Sequence, residues 1–100
     1  MSDELELELE ITGKGLNAPR LRPEDIDATI VDEDYIVLPS GKTMICELTL
    51  ENGFTVRGEA SVVSKDNFNY DIGKKISRQK ARDKIWELEA YLLQERICNA

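Results

Sequence analysis

Apolar positions along the chain change period from segment to segment, and each period implies a different element. Residues 3–11 read DELELELEI, with acidic and aliphatic residues in strict alternation. On a strand this sorts Leu5, Leu7, Leu9 and Ile11 to one face and Glu4, Glu6, Glu8 and Glu10 to the other, whereas a helix would scatter the leucines. The alternation predicts an N-terminal strand over residues 4–11. Glu is a poor strand former and four like charges repel, so that strand needs a sheet to bury its leucines.

TGKGLNAPRLR, residues 12–22, reads as a loop. RPEDIDATIVDED then carries helix signals: Pro23 suits the first position, Glu24 and Asp25 suit the positive end of the dipole, and Ile26 with Ile30 stand four residues apart. These predict a short helix from about Pro23 to Asp32. YIVLPSGK follows as an extended stretch ending in a turn.

TMICELTLENGFTVRGEASVV is a hairpin. A two-residue Asn52-Gly53 loop would pair Leu48 with Arg57 and throw the two apolar rows onto opposite faces. A three-residue loop, Glu51-Asn52-Gly53, instead pairs Leu48 with Val56, Cys46 with Gly58 and Met44 with Ala60, leaving Glu47 beside Arg57 on the other face. The second register is predicted, with Gly53 left-handed, because one residue of slip reverses every side chain.

Asn69 or Asp71 can cap a long helix running to about Ile97. Ile72 and Ile76 form one stripe on it. Ala81, Ile85, Leu88 and Leu92 form another, turned by more than 100°, so the helix is expected either to contact two surfaces or to curve across one core. The fold class is therefore α+β: a small antiparallel sheet made of the N-terminal strand and the central hairpin, one short helix and one long C-terminal helix, all in a single domain, residues 1–100.

Charge alters this picture. The net charge is −7, but residues 1–34 hold eleven acids and three bases, while KKISRQKARDK, residues 74–84, holds six bases and one acid. General duplex DNA binding is disfavoured in so acidic a chain. A local basic face can still hold a small anion. No apolar run is long enough to span a membrane, and the acidic N-terminus does not read as a signal peptide, so a cytosolic protein is expected.

Little suggests catalysis. The chain has no His, and GKG at residues 13–15 lacks the spacing of a phosphate loop. Cys46 has no imidazole partner and reads as core filler; Asp32, Glu33 and Asp34 read as a solvated helix end rather than a cation site. No enzyme activity, metal or cofactor is expected. Lys74 with Arg78, and Lys80 with Lys84, stand four apart and repel, so an acidic partner or anion would stabilise them. The alternatives for this face are plain solvation, or pairing with the acidic N-terminal part of another copy. The candidate ligand-binding residues are Arg78, Lys84, Lys74, Lys75 and Arg57, with Phe68, Tyr70 and Trp86 for base stacking.

ENGFTVRGEASVVSKDNFNYDIGKKISRQKARDKIWELEAYLLQERI, residues 51–97, resembles a family of small tailed-phage proteins of uncharacterised function. Its members carry an NGFTVxGE hairpin, an Asn-Phe linker, an Ile-Gly helix start and a Lys-Ile-Trp motif. RPEDIDATIVDEDYI resembles the upstream part, so the likeness spans roughly residues 20–97 and leaves the acidic segment, residues 1–19, outside. Glu87 and Ala90 stand where the family pattern has Pro and Gly, which implies a straighter helix here.

The resemblance implies a phage protein at work in the host cytoplasm during infection. With no catalytic groups, the first expectation is a stoichiometric counter-defence or host-takeover binder that sequesters an anionic ligand such as a nucleotide immune signal. The alternatives are an acidic inhibitor that covers a basic, nucleic-acid-binding host protein, or a virion accessory component. A homo-oligomer, dimer or tetramer, is expected through the Ala81–Leu92 stripe, with no membrane partner.

Overall fold

The computed structural model describes residues 2–13 and 18–100. Three strands form one antiparallel sheet in the order β1-β2-β3: β1 (Ile30–Val37), β2 (Thr43–Leu50) and β3 (Thr55–Ser61). Helix α3 (Tyr70–Cys98) lies across one face, α2 (Pro23–Thr29) closes one end, and α1 (Ser2–Gly13) precedes them.

The hairpin has the three-residue loop. Leu48 stands opposite Val56, Cys46 opposite Gly58 and Glu47 opposite Arg57. The Leu50 amide donates to the Phe54 carbonyl at 2.8 Å, and Gly53 closes the turn at φ +88°, a conformation that favours glycine. This register turns Met44, Cys46, Leu48, Leu50, Val56 and Ala60 inward, where all are buried. Burying each of the larger side chains contributes about 1.5–3 kcal/mol.

The third strand is not the predicted one. It is β1, which begins at Ile30, inside the stretch expected to end the short helix. Helix α2 stops at Thr29, whose hydroxyl donates back to the Ile26 carbonyl at 2.7 Å. Ile30 and Val31 are β-branched and leave the helix readily. A bulge between Ile30 and Asp32 then sets Glu33 opposite Leu48 and Tyr35 opposite Cys46, both on the α3 side.

Residues 2–13 form a helix, and the N-terminal strand over 4–11 is thereby corrected. Glu and Leu are both strong helix formers, so the segment's local preference already opposed the strand. The face that matters is Glu4, Glu8 and Ile11, spaced for a helix, while Leu5, Leu7 and Leu9 stay exposed. The loop expected over residues 12–22 begins later, at the end of α1, and its residues 14–17 lie outside the described residues.

Helix α3 is capped by Asn69, whose side chain accepts the Ile72 amide at 3.0 Å, and it runs unbroken through Trp86-Glu87. Its core face takes only Ala81 and Ile85 from the predicted stripes. That face is Gly73, Ser77, Ala81 and Ile85, all buried, while Ile72 and Ile76 are exposed. The small residues let strand and helix backbones meet. A Cβ added to Gly58 would fall 2.4 Å from the Ser77 carbonyl oxygen. At about 1.5 Å per residue the helix extends roughly 43 Å, against about 25 Å for a strand, so its last turns outrun the sheet. Leu88, Tyr91 and Leu92 are exposed there.

Candidate anion-binding site

Five of the six bases of residues 74–84, all but Lys75, form two rows on opposite flanks of α3. Residues 74, 78 and 82 follow one another at helical spacing and face β1 and α2. Residues 80 and 84 form the second row, beside β3.

The first row is committed within the chain. Lys74 Nζ lies 4.8 Å from the centre of the Tyr35 ring and 5.7 Å from that of Tyr70. Arg78 Nε donates to Glu33 Oε2 at 2.8 Å, and that carboxylate holds the guanidinium more firmly protonated than usual. Arg82 is buried. Its Nε donates to Asp27 Oδ1 at 2.8 Å, its Nη1 and Nη2 grip the two oxygens of Glu4 at 2.8 and 2.9 Å, and Nη2 also reaches the Pro23 carbonyl at 3.2 Å. Glu4 first, then Asp27, raises the pKa of Arg82 further still, against the opposing effect of burial. Glu8 of α1 pairs with Arg20. Pairing with the acidic N-terminal part thus does occur, within one chain.

The second row lines an open groove. Lys80 and Lys84 face Arg57 and Glu59 across Gly58, with Ile45 as the apolar wall, around a space of about 420 Å³. Three bases against one acid leave the lining positive. Arg57 is only lightly held, 3.4 Å from Glu47 Oε2 and 3.2 Å from Thr55 Oγ1, with more than half of its side chain exposed. Such a groove can take an oxyanion by charge-assisted hydrogen bonds without displacing a strong internal pair. Its size falls in the range of small-ligand sites.

Of the eight sequence candidates, Arg57 and Lys84 come together here. Arg78 and Lys74 sit on the other flank with partners of their own. Lys75 is exposed and, nine residues before Lys84, stands half a turn around the helix from it. Phe68 packs toward Gly73 in a separate hollow with Ile72 and Ile76. Tyr70 adjoins Lys74, and Trp86 lies beside Arg82, whose guanidinium centre is 6.0 Å from its ring. None of the three aromatics lines the groove. Lys80 and Arg82 were absent from the candidates. The i,i+4 spacing with Lys84 pointed to Lys80, while the partners of Arg82 lie 55 and 78 residues away.

Among the described residues no group of three His, Cys, Asp or Glu is placed to hold a metal ion, and no helix is long and apolar enough to cross a membrane. Asp32, Glu33 and Asp34 alternate across the sheet, so they do not converge. No curated protein and no solved structure matches the chain. Residues 21–97, which hold α2, all three strands and nearly all of α3, match the phage protein family described as N4 Gp49/phage Sf6 gene 66, and the chain belongs to that family.

Proposed function

We propose that this phage protein is a non-catalytic accessory factor that binds an anionic small ligand, such as a nucleotide immune signal, in the groove beside β3 and so withholds it from the host. The observation that supports this reading is the convergence of Arg57, Lys80 and Lys84, the last two having no acidic partner among their groove neighbours except Glu59. Phosphate groups would carry the recognition, with Ile45 the one apolar surface offered to a base. Calorimetry against a panel of linear and cyclic nucleotides tests it. Saturable, stoichiometric binding of one class supports it, and no heat with any member contradicts it.

One observation favours the acidic-inhibitor reading. Asp34 stands directly opposite Glu47 on the outer face of the sheet, a like-charge cross-strand pair that Arg57, 3.4 Å from Glu47, offsets only in part and that a basic partner surface would relieve further.

We also infer self-association, through a smaller surface than the stripe expected from sequence. Ala81 and Ile85 are in the chain's own core, which leaves Leu88, Leu92, Tyr91 and Phe54 exposed around one cleft. Glu89 and Arg96 line the same cleft, seven residues apart. An antiparallel second copy centred between Leu92 and Leu93 sets each Glu89 opposite the other copy's Arg96, so the surface is self-complementary.

A further inference from the structure

The geometry points to a second oxyanion site, the outer edge of the Arg82 guanidinium, which Glu4 of α1 occupies as an internal ligand. Three observations combine. Arg82 is fixed without α1, because Asp27, the Pro23 carbonyl and the Trp86 ring hold its Nε, Nη2 and face. All of these belong to residues 21–97, the part matched to the family, whereas Glu4 does not. The outer edge, Nη1 and Nη2, presents two parallel donors, and the Glu4 carboxylate takes both. That fork suits a carboxylate or two oxygens of a phosphate equally well.

The occupant is also attached in a way that lets it leave. Helix α1 keeps Leu5, Leu7 and Leu9 exposed, and ion pairs from Glu4 to Arg82 and from Glu8 to Arg20 tie it to the rest of the chain. A tether of this kind makes Glu4 a competitor at high effective concentration rather than a permanent plug. An external oxyanion binds when α1 lifts away. The site lies on the flank opposite the Lys80–Lys84 groove and does not rest on the groove reading.

The chain carries one tryptophan, Trp86, beside the fork, and its fluorescence reports the site directly. In a Lys80→Gln/Lys84→Gln background, which removes the groove, the protein is titrated with pyrophosphate and separately with citrate. Glu4→Gln is expected to tighten binding of at least one of them tenfold or more, and which one saturates names the ligand class. Glu8→Gln, which weakens a second tie of α1 without touching the fork, is expected to tighten it as well, and it serves if Glu4→Gln perturbs the fold. Arg82→Lys added to either variant is expected to remove the gain, since an ammonium cannot present the fork. No tightening in Glu4→Gln and Glu8→Gln with either probe, or tightening that survives Arg82→Lys, would overturn the proposal.

Discussion

A Cβ added to Gly58 would lie 2.3 Å from the backbone nitrogen of Ala81, so β3 and α3 touch backbone to backbone at this point. That contact sets the distance between Arg57 on the strand and Lys80 and Lys84 on the helix, and therefore the width of the groove. Gly58→Ala puts a methyl group where only rigid backbone could yield. It should cost about 3 kcal/mol, at the upper end of overpacking effects, measured by urea denaturation. A change under about 0.5 kcal/mol would mean that strand and helix do not meet there.

The two arginine pairs on the other flank should differ in weight. Arg78 and Glu33 are both substantially exposed, so Glu33→Gln should cost under about 1 kcal/mol. Arg82 is buried and answers three groups on α1 and α2 at once. Arg82→Met should cost about 2 kcal/mol, below the full value for a buried pair because Asp27 is itself half in water. It should also speed amide exchange through residues 2–13, which hydrogen-exchange mass spectrometry would detect. Equal costs for the two variants would contradict the assignment.

Local pattern sufficed where the folding decision is local. The hairpin register followed from Leu48, Val56, Glu47 and Arg57 because a slip of one residue would bury the wrong face, and side-chain chemistry narrowed the α3 cap to Asn69 or Asp71, of which Asn69 holds it. The α1 strand expectation failed because the alternation of Glu and Leu has a face in either conformation. The helical preference of Glu and Leu favours the helix, and it sets Glu4 and Glu8 against Arg82, seventy-eight residues from Glu4, and Arg20. The core face of α3 was missed in part, for another reason. A search for large apolar residues passes over Gly73 and Ser77, whose value is that they are small enough for β3 to approach. The groove was half legible, since Arg57 and Lys84 were named. Their convergence depends on the Gly58 contact, which spacing along the chain does not reveal.

Cys46 is buried beside Tyr35, and burial raises the pKa of both groups, Tyr35 strongly. Both are neutral acids in the fold and ionise more readily when unfolded. Their contribution to stability is complete below the unfolded values and is lost as pH rises through and above about 9. Denaturation midpoints should therefore fall between pH 8 and pH 11, and Tyr35→Phe should flatten the decline. In native protein at pH 8, iodoacetamide should modify exposed Cys98 and leave Cys46 intact. Rapid modification of both would contradict the buried placement.

Self-association through the end of α3 predicts a dimer of about twice the 11.3 kDa chain mass at micromolar concentration. Leu88→Glu with Leu92→Glu should yield a folded monomer, because each new carboxylate would be buried against its copy. Glu89→Arg should weaken the dimer, and adding Arg96→Glu should restore it. Sedimentation velocity reads all three. A monomeric parent protein at that concentration would remove this interface.

Binding in the groove beside β3 is tested most directly by calorimetry with the tightest-binding nucleotide, comparing the parent with Lys80→Gln/Lys84→Gln and with Arg78→Gln. Each charge-assisted contact is worth about 1.5–3 kcal/mol, so losing two should weaken binding a hundredfold or more while circular dichroism stays unchanged. Arg78, committed to Glu33 on the opposite flank, should matter little, and its variant should bind within about threefold of the parent. Unchanged affinity in the double lysine variant, or equal loss in Arg78→Gln, would contradict a site at Arg57, Lys80 and Lys84.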